Sequence, residues 1–121
     1  MYRMFYNVRV FTGTGLENWS VGKVTDFNYC FYYNTAMNTN LANWDVSSAT
    51  DLTAMFYLSG FNQPVANWTV SNVNNMANLF RQSSFNQDVS GWSISKVTNM
   101  KYEYISSLLL LLFVQPAILT L

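Results

Sequence analysis

The chain has 121 residues, half of them hydrophobic and 17% aromatic, which is enough apolar side chain for one packed domain and too much for a disordered one. Six lysines and arginines balance six aspartates and glutamates, so no basic surplus exists to neutralise a phosphate backbone, and nucleic acid is excluded as a partner. One cysteine and no histidine exclude an internal disulfide, a multi-cysteine zinc site and every histidine-based catalytic triad, and no cofactor is expected.

The organising feature is a ladder of tryptophans: Trp19, Trp44, Trp68 and Trp92 lie 25, 24 and 24 residues apart and account for all four in the chain. A fixed period of this length marks a stack of repeated units that bury their apolar faces against their neighbours. In chain order, Met4-Phe5-Tyr6 reads as the tail of a helix whose strand would precede residue 1, so the sequence opens within a rung, and no signal segment stands at its start. Leu16 to Val24, Leu41 to Ala49, Val65 to Val73 and Val89 to Val97 then follow one pattern, L-x-x-W-x-V-x-x-V. Its W-x-V centre alternates apolar and polar residues, which predicts one short strand per rung and a parallel sheet across rungs.

After each strand come Thr25-Asp26-Phe27-Asn28-Tyr29-Cys30-Phe31, Thr50-Asp51-Leu52-Thr53-Ala54-Met55-Phe56 and Asn74-Asn75-Met76-Ala77-Asn78-Leu79-Phe80. Apolar residues at i, i+3 and i+4 behind a Thr, Asp or Asn predict a short N-capped helix. The fold class expected is therefore α/β: a leucine-rich-repeat-like solenoid with one parallel strand and one helix per rung of about 24 residues. A polar loop leads on to Phe61-Asn62-Gln63-Pro64 and Phe85-Asn86-Gln87-Asp88, with Met37 in the phenylalanine column one rung earlier. The extra residue of the 25-residue interval falls between Phe31 and Met37, in a loop that absorbs it. The repeat fills residues 1–104 as about four rungs, the first and last incomplete. Ile105 to Leu121 leaves the pattern, with five consecutive leucines from Leu108 and a Pro116. A cap over the last rung, a membrane anchor and a foreign or misjoined segment all remain open for this tail; a membrane span needs about 20 apolar residues.

The runs Phe61 to Met76 and Phe85 to Met100 closely resemble the repeat of the BspA-family leucine-rich repeat surface proteins, roughly F-N-Q-D-L-S-x-W-D-V-S-x-V-T-x-M-x-x-M-F. The resemblance covers about residues 4 to 104 and is strongest in the last two rungs; in the first, Thr12-Gly13-Thr14-Gly15 stands where F-N-Q-x is expected. It implies display on a cell surface, a role in adhesion or protein interaction, and no catalytic residues.

The expected partner-binding face is the outward side of the strands: Asn18, Ser20, Asn43, Asp45, Ser47, Asn67, Thr69, Ser71, Ser93 and Ser95. Repeat scaffolds concentrate recognition on such periodic surfaces, although these side chains are small and include none of the Tyr, Trp or Arg anchors that carry interface energy. The four tryptophans are expected in the core. Asp26 and Asp51 share one column, where two carboxylates could serve glycoside hydrolysis or hold calcium; helix capping explains them more directly, since Asn75 and Asn99 replace them further along. Asn18-Trp19-Ser20 and Asn67-Trp68-Thr69 are glycosylation sequons produced by the repeat itself. Cys30 falls in a buried apolar column. The function expected is a non-enzymatic interaction module for a protein or matrix partner, with a membrane-associated structural fragment as the alternative, anchored through Ile105 to Leu121. Self-association through exposed end rungs is a further expectation.

Overall fold

The computed structural model describes residues 1–101, so Ile105 to Leu121 and the expected helix start at Tyr102 to Tyr104 lie outside the described residues. The rungs stack at the tryptophan period, but the strand and helix expected in each are absent. Among the described residues the regular structure consists of one 3-10 turn, Leu16–Asn18, and isolated parallel bridges joining Asp26 to Asp51, Asp51 to Asn75 and Asn75 to Asn99. The α/β assignment is thus overturned, and each half of the rung fails for its own physical reason.

In the expected helices, alternate backbone N–H groups leave the rung. Phe27, Tyr29, Phe31 and Tyr33 donate to the carbonyls of Asp51, Thr53, Met55 and Tyr57 at 2.7–3.0 Å, and Leu52, Ala54, Phe56 and Leu58 donate to Asn75, Ala77, Leu79 and Arg81 at 2.9–3.0 Å. The residues between them close three-residue turns inside the rung, such as Cys30 N–H to the Phe27 carbonyl and Tyr32 N–H to the Tyr29 carbonyl. A helix would send all of these donors to i−4 within its own segment. The geometry that prevents this is a left-handed residue at every fourth position: Arg3, Asn7, Tyr29, Tyr33, Ala54, Leu58, Asn78 and Gln82 all have φ between 51 and 59°. Each costs about 1 to 2 kcal/mol, offset by a backbone fully paired to the next rung. Two linked turns still turn positions i, i+3 and i+4 inward, and Phe27, Cys30 and Phe31 are 0% exposed.

Around the tryptophans, turns crowd out the sheet. Trp44 N–H closes a turn onto the Leu41 carbonyl and Ala49 N–H closes another onto Val46, leaving only the residues between them extended; Trp68 and Trp92 repeat the arrangement. The expected alternation survives, with Trp44 and Val46 buried and Asp45 exposed. The indole replaces the missing ladder. Nε1 of Trp44, Trp68 and Trp92 donates to the carbonyls of Leu16, Leu41 and Val65 of the preceding rung, at 2.7, 2.9 and 3.0 Å.

Columns of rings fill the interior. Phe5, Phe31, Phe56 and Phe80 stack in turn at 5.5, 5.5 and 5.7 Å, and Trp44, Trp68 and Trp92 lean on Phe31, Phe56 and Phe80. Phe61 and Phe85 stack on Phe56 and Phe80. Phe11 does the same on Phe5 at 4.6 Å, so it supplies the phenylalanine that the Thr12–Gly15 stretch had seemed to lack. The Asn-Gln that follows this phenylalanine is a polar ladder. Asn38 Oδ1 accepts the N–H of Asn62, Asn62 Oδ1 accepts that of Asn86, and Gln63 and Gln87 donate to the carbonyls of Asn38 and Asn62. Asn34 is fully buried in the longer loop, where its amide nitrogen faces the carbonyls of Phe11 and Val8 at 2.8 Å.

One tryptophan departs from expectation: Trp19 is 45% exposed, against 3–6% for the other three. Trp68→Phe, which keeps an aromatic ring and deletes the buried N–H donor, is expected to lower stability by about 1 to 3 kcal/mol. Trp19→Phe should cost much less, and urea unfolding of the two variants measures the difference.

Candidate functional site

The outward side of the linked turns carries a column of tyrosines. Tyr6, Tyr32 and Tyr57 occupy equivalent positions in successive rungs, and their rings stack at 4.7 and 5.0 Å, close to the spacing of the backbone itself. Arg81 takes the same position in the next rung, its guanidinium 5.6 Å from the Tyr57 ring centre. Tyr29 tilts against both Tyr6 and Tyr32. Arg3 lies over the rings of Tyr2, Tyr6 and Tyr29 at 5.0–5.4 Å, and Arg9 over Tyr33 at 4.1 Å. All three arginines of the chain and six of its eight tyrosines therefore join one surface, while the chain as a whole is neutral.

Its geometry follows from the backbone. The left-handed residues Tyr29 and Tyr33 turn the chain back on either side of Tyr32, and the rung-to-rung hydrogen bonds fix the repeat of the column. Because the ring faces are occupied by one another and by guanidinium groups, the surface offers ring edges, phenol hydroxyls and guanidinium N–H groups. Each cation–π contact adds about 0.5 to 1 kcal/mol at exposed sites, so the arginines are held in place before any partner arrives. Burial, and then the neighbouring phenols Tyr6, Tyr57, Tyr29 and Tyr33, push the Tyr32 hydroxyl above its ordinary range, which keeps it a neutral donor.

The polar row expected to bind partners is on the surface. Asn18, Ser20, Asn43, Asp45, Asn67, Thr69, Ser93 and Ser95 are exposed, and Ser47 and Ser71 half-exposed. Much of its hydrogen-bonding capacity is spent locally. Asp45 Oδ1 accepts from both the Ser47 hydroxyl and its N–H, which hold the carboxyl below the usual carboxylate range. Asn72 donates to the Ser47 carbonyl and accepts from Lys96 Nζ. The Asp26 and Asp51 column is likewise engaged: Asp26 accepts the N–H of Asn28, and Asp51 accepts the N–H and hydroxyl of Thr53 and the Asn28 amide. Asn75 and Asn99 accept from Ala77 and Lys101 in the same way. The capping chemistry of this column is present, closing a tight turn in place of a helix. Among the described residues no group of three His, Cys, Asp or Glu side chains could hold a metal ion.

The tyrosine ladder was the feature that sequence reasoning passed over. Its signal was available: the position one beyond each inward phenylalanine reads Tyr6, Tyr32, Tyr57 and Arg81, a column of strong interface residues hidden among residues assigned to a solvent-facing helix surface.

These features define a repeat protein of stacked, turn-built rungs with an aromatic and cationic face. Compared with known protein families, residues 1–108 match DUF285, described as Mycoplasma protein of unknown function. The chain belongs to that family. No curated protein and no solved structure gives a match.

Cys30 is fully buried, and burial pushes its thiol from the ordinary value of 9.0 up to about 12. The native protein is expected to resist iodoacetamide at pH 8 and to react fully in urea. Since the unfolded thiol ionises at lower pH than the folded one, the stability linked to this group is intact below about pH 9 and declines between there and about pH 12. Urea midpoints across that range should fall, and fall less steeply in Cys30→Ala.

Proposed function

We propose that this chain is a non-enzymatic interaction module that binds a protein or matrix partner, and that its principal contact surface is the tyrosine and arginine ladder. The observation that carries this reading is the gathering of Arg3, Arg9 and Arg81 onto the stacked column of Tyr6, Tyr32 and Tyr57. Tyrosine and arginine are the residues most enriched at energetic centres of interfaces, and rings already stacked lose little conformational freedom on binding. The complementary partner is a segment rich in carboxylates, which would accept from guanidinium and phenol groups together. The resemblance of the Phe61 to Met76 and Phe85 to Met100 runs to the repeat of BspA-family surface proteins supports the same class of role, with display on a cell surface.

The polar strand row is the competing contact surface, and one measurement separates the two. Titrating isotopically labelled protein with a poly-glutamate peptide is expected to shift the resonances of Tyr29, Tyr32, Tyr57 and Arg81, and Arg3→Ala combined with Arg81→Ala should weaken binding by about tenfold or more. Shifts confined to Ser20, Thr69 and Ser93, or none at millimolar peptide, would overturn the assignment to the ladder.

A further inference from the structure

The two ends of the stack are unlike each other, because the tryptophans lean in one direction. Trp44, Trp68 and Trp92 each reach back to the preceding rung and hydrogen-bond the carbonyl three residues before that rung's own tryptophan. Each of these carbonyls, at Leu16, Leu41 and Val65, also takes the turn hydrogen bond from its own tryptophan N–H. It thus serves two donors, one within the rung and one from the next.

At the first rung the donor is left over. Trp19 occupies the same place and packs on Phe5 at 5.9 Å, as the later tryptophans pack on their phenylalanines. Yet no described residue accepts from its indole N–H, and its ring is 45% exposed. Met4 shares the column of Cys30, Met55 and Leu79, which are 0–2% exposed, but is itself 50% exposed. Every large hydrophobic side chain that is strongly exposed among the described residues falls between Tyr2 and Trp19, including Val8 and Val10. At the fourth rung the acceptor is left over. The Val89 carbonyl takes the turn bond from Trp92 and no indole from any described residue.

We infer that the first rung of one molecule docks on the fourth rung of a second copy of this chain, with Trp19 Nε1 donating to the partner's Val89 carbonyl and so continuing the indole ladder across the junction. The occupant is fixed by complementarity. The surface missing from Trp19 is a rung of this same repeat, set in register, and residues 89–101 are the rung that has given no carbonyl to an indole. Such a contact is heterologous, joining two different patches, and it adds molecules head to tail without closing a pair. A symmetric pairing of two first rungs would bring two indole donors together and supply neither with an acceptor.

Sedimentation velocity over a rising concentration series is expected to show reversible growth beyond a dimer. Trp19→Phe, which keeps the ring and removes the N–H, should weaken association by about fivefold to tenfold, the worth of one hydrogen bond, and Trp19→Lys should abolish it. Trp19 is half exposed, so both variants should unfold in urea close to the parent chain, and that measurement separates lost association from lost folding. The polarity is read by disulfide capture. In register, position 20 of one copy lies one rung spacing from position 93 of the next, a distance a disulfide can bridge, and the native Cys30 is buried. A mixture of Ser20→Cys and Ser93→Cys chains should cross-link roughly tenfold faster than either alone, because docking raises the effective concentration of the pair. A monomer at every concentration would overturn the inference. So would association unchanged in Trp19→Lys, or Ser20→Cys alone cross-linking as fast as the mixture.

Discussion

The structure depends on a division of labour among backbone donors. Where the expected helices would keep their hydrogen bonds to themselves, alternate N–H groups from Phe27 to Tyr33 and from Leu52 to Leu58 cross to the next rung, and the residues between them close local turns. Neither set alone would hold the stack: the turns shape each rung, and the crossings join rungs. The requirement is met by non-glycine residues in left-handed conformation at fixed intervals. Isolated residues would not hold that geometry, so it persists because the neighbouring rungs demand it. The rung is therefore stable only as a member of a stack, as expected of repeat proteins whose units cannot bury their own apolar faces.

Side chains extend the same logic. The indole N–H of one rung finds the L-position carbonyl of the rung before, the asparagine of F-N-Q finds the next asparagine's N–H, and the glutamine returns to a carbonyl behind it. The repeat consensus is a list of inter-rung hydrogen bonds as much as a list of core positions. The tyrosine column is the outer counterpart of the phenylalanine column, stacking at nearly the same spacing because both are carried on one backbone period. A surface feature that repeats this closely with the core offers partners a rigid row rather than a collection of independent side chains.

The sequence made the inward positions readable, and the secondary structure was not. Phe27, Cys30 and Phe31 fit a helical face, yet linked turns present the same three positions inward, so apolar spacing could not separate the two. The W-x-V alternation was likewise correct about which side chains face the core and wrong about the sheet, because turns at Leu41 to Trp44 and Val46 to Ala49 leave too few extended residues between them. Asp26, Asp51, Asn75 and Asn99 carry turn-closing chemistry that was legible from residue type, although the element they close is a tight turn. The polar strand row was correctly placed on the surface. The tyrosine ladder was missed because helical reasoning assigns Tyr32 and Tyr57 to solvent and has no reason to stack them.

By itself the sequence determined the period, the columns that fill the core, the burial of Cys30 and the lack of residues for histidine or multi-cysteine chemistry. Those follow from residue type and spacing, which survive any backbone that returns every 24 or so residues. Only the tertiary structure decided that rungs are built of turns, that Trp19 stands exposed while its counterparts are dry, and that the arginines converge on one aromatic face. Each of these depends on where a backbone N–H or a ring finds its partner, and that partner lies one rung away, a full repeat distant in the chain.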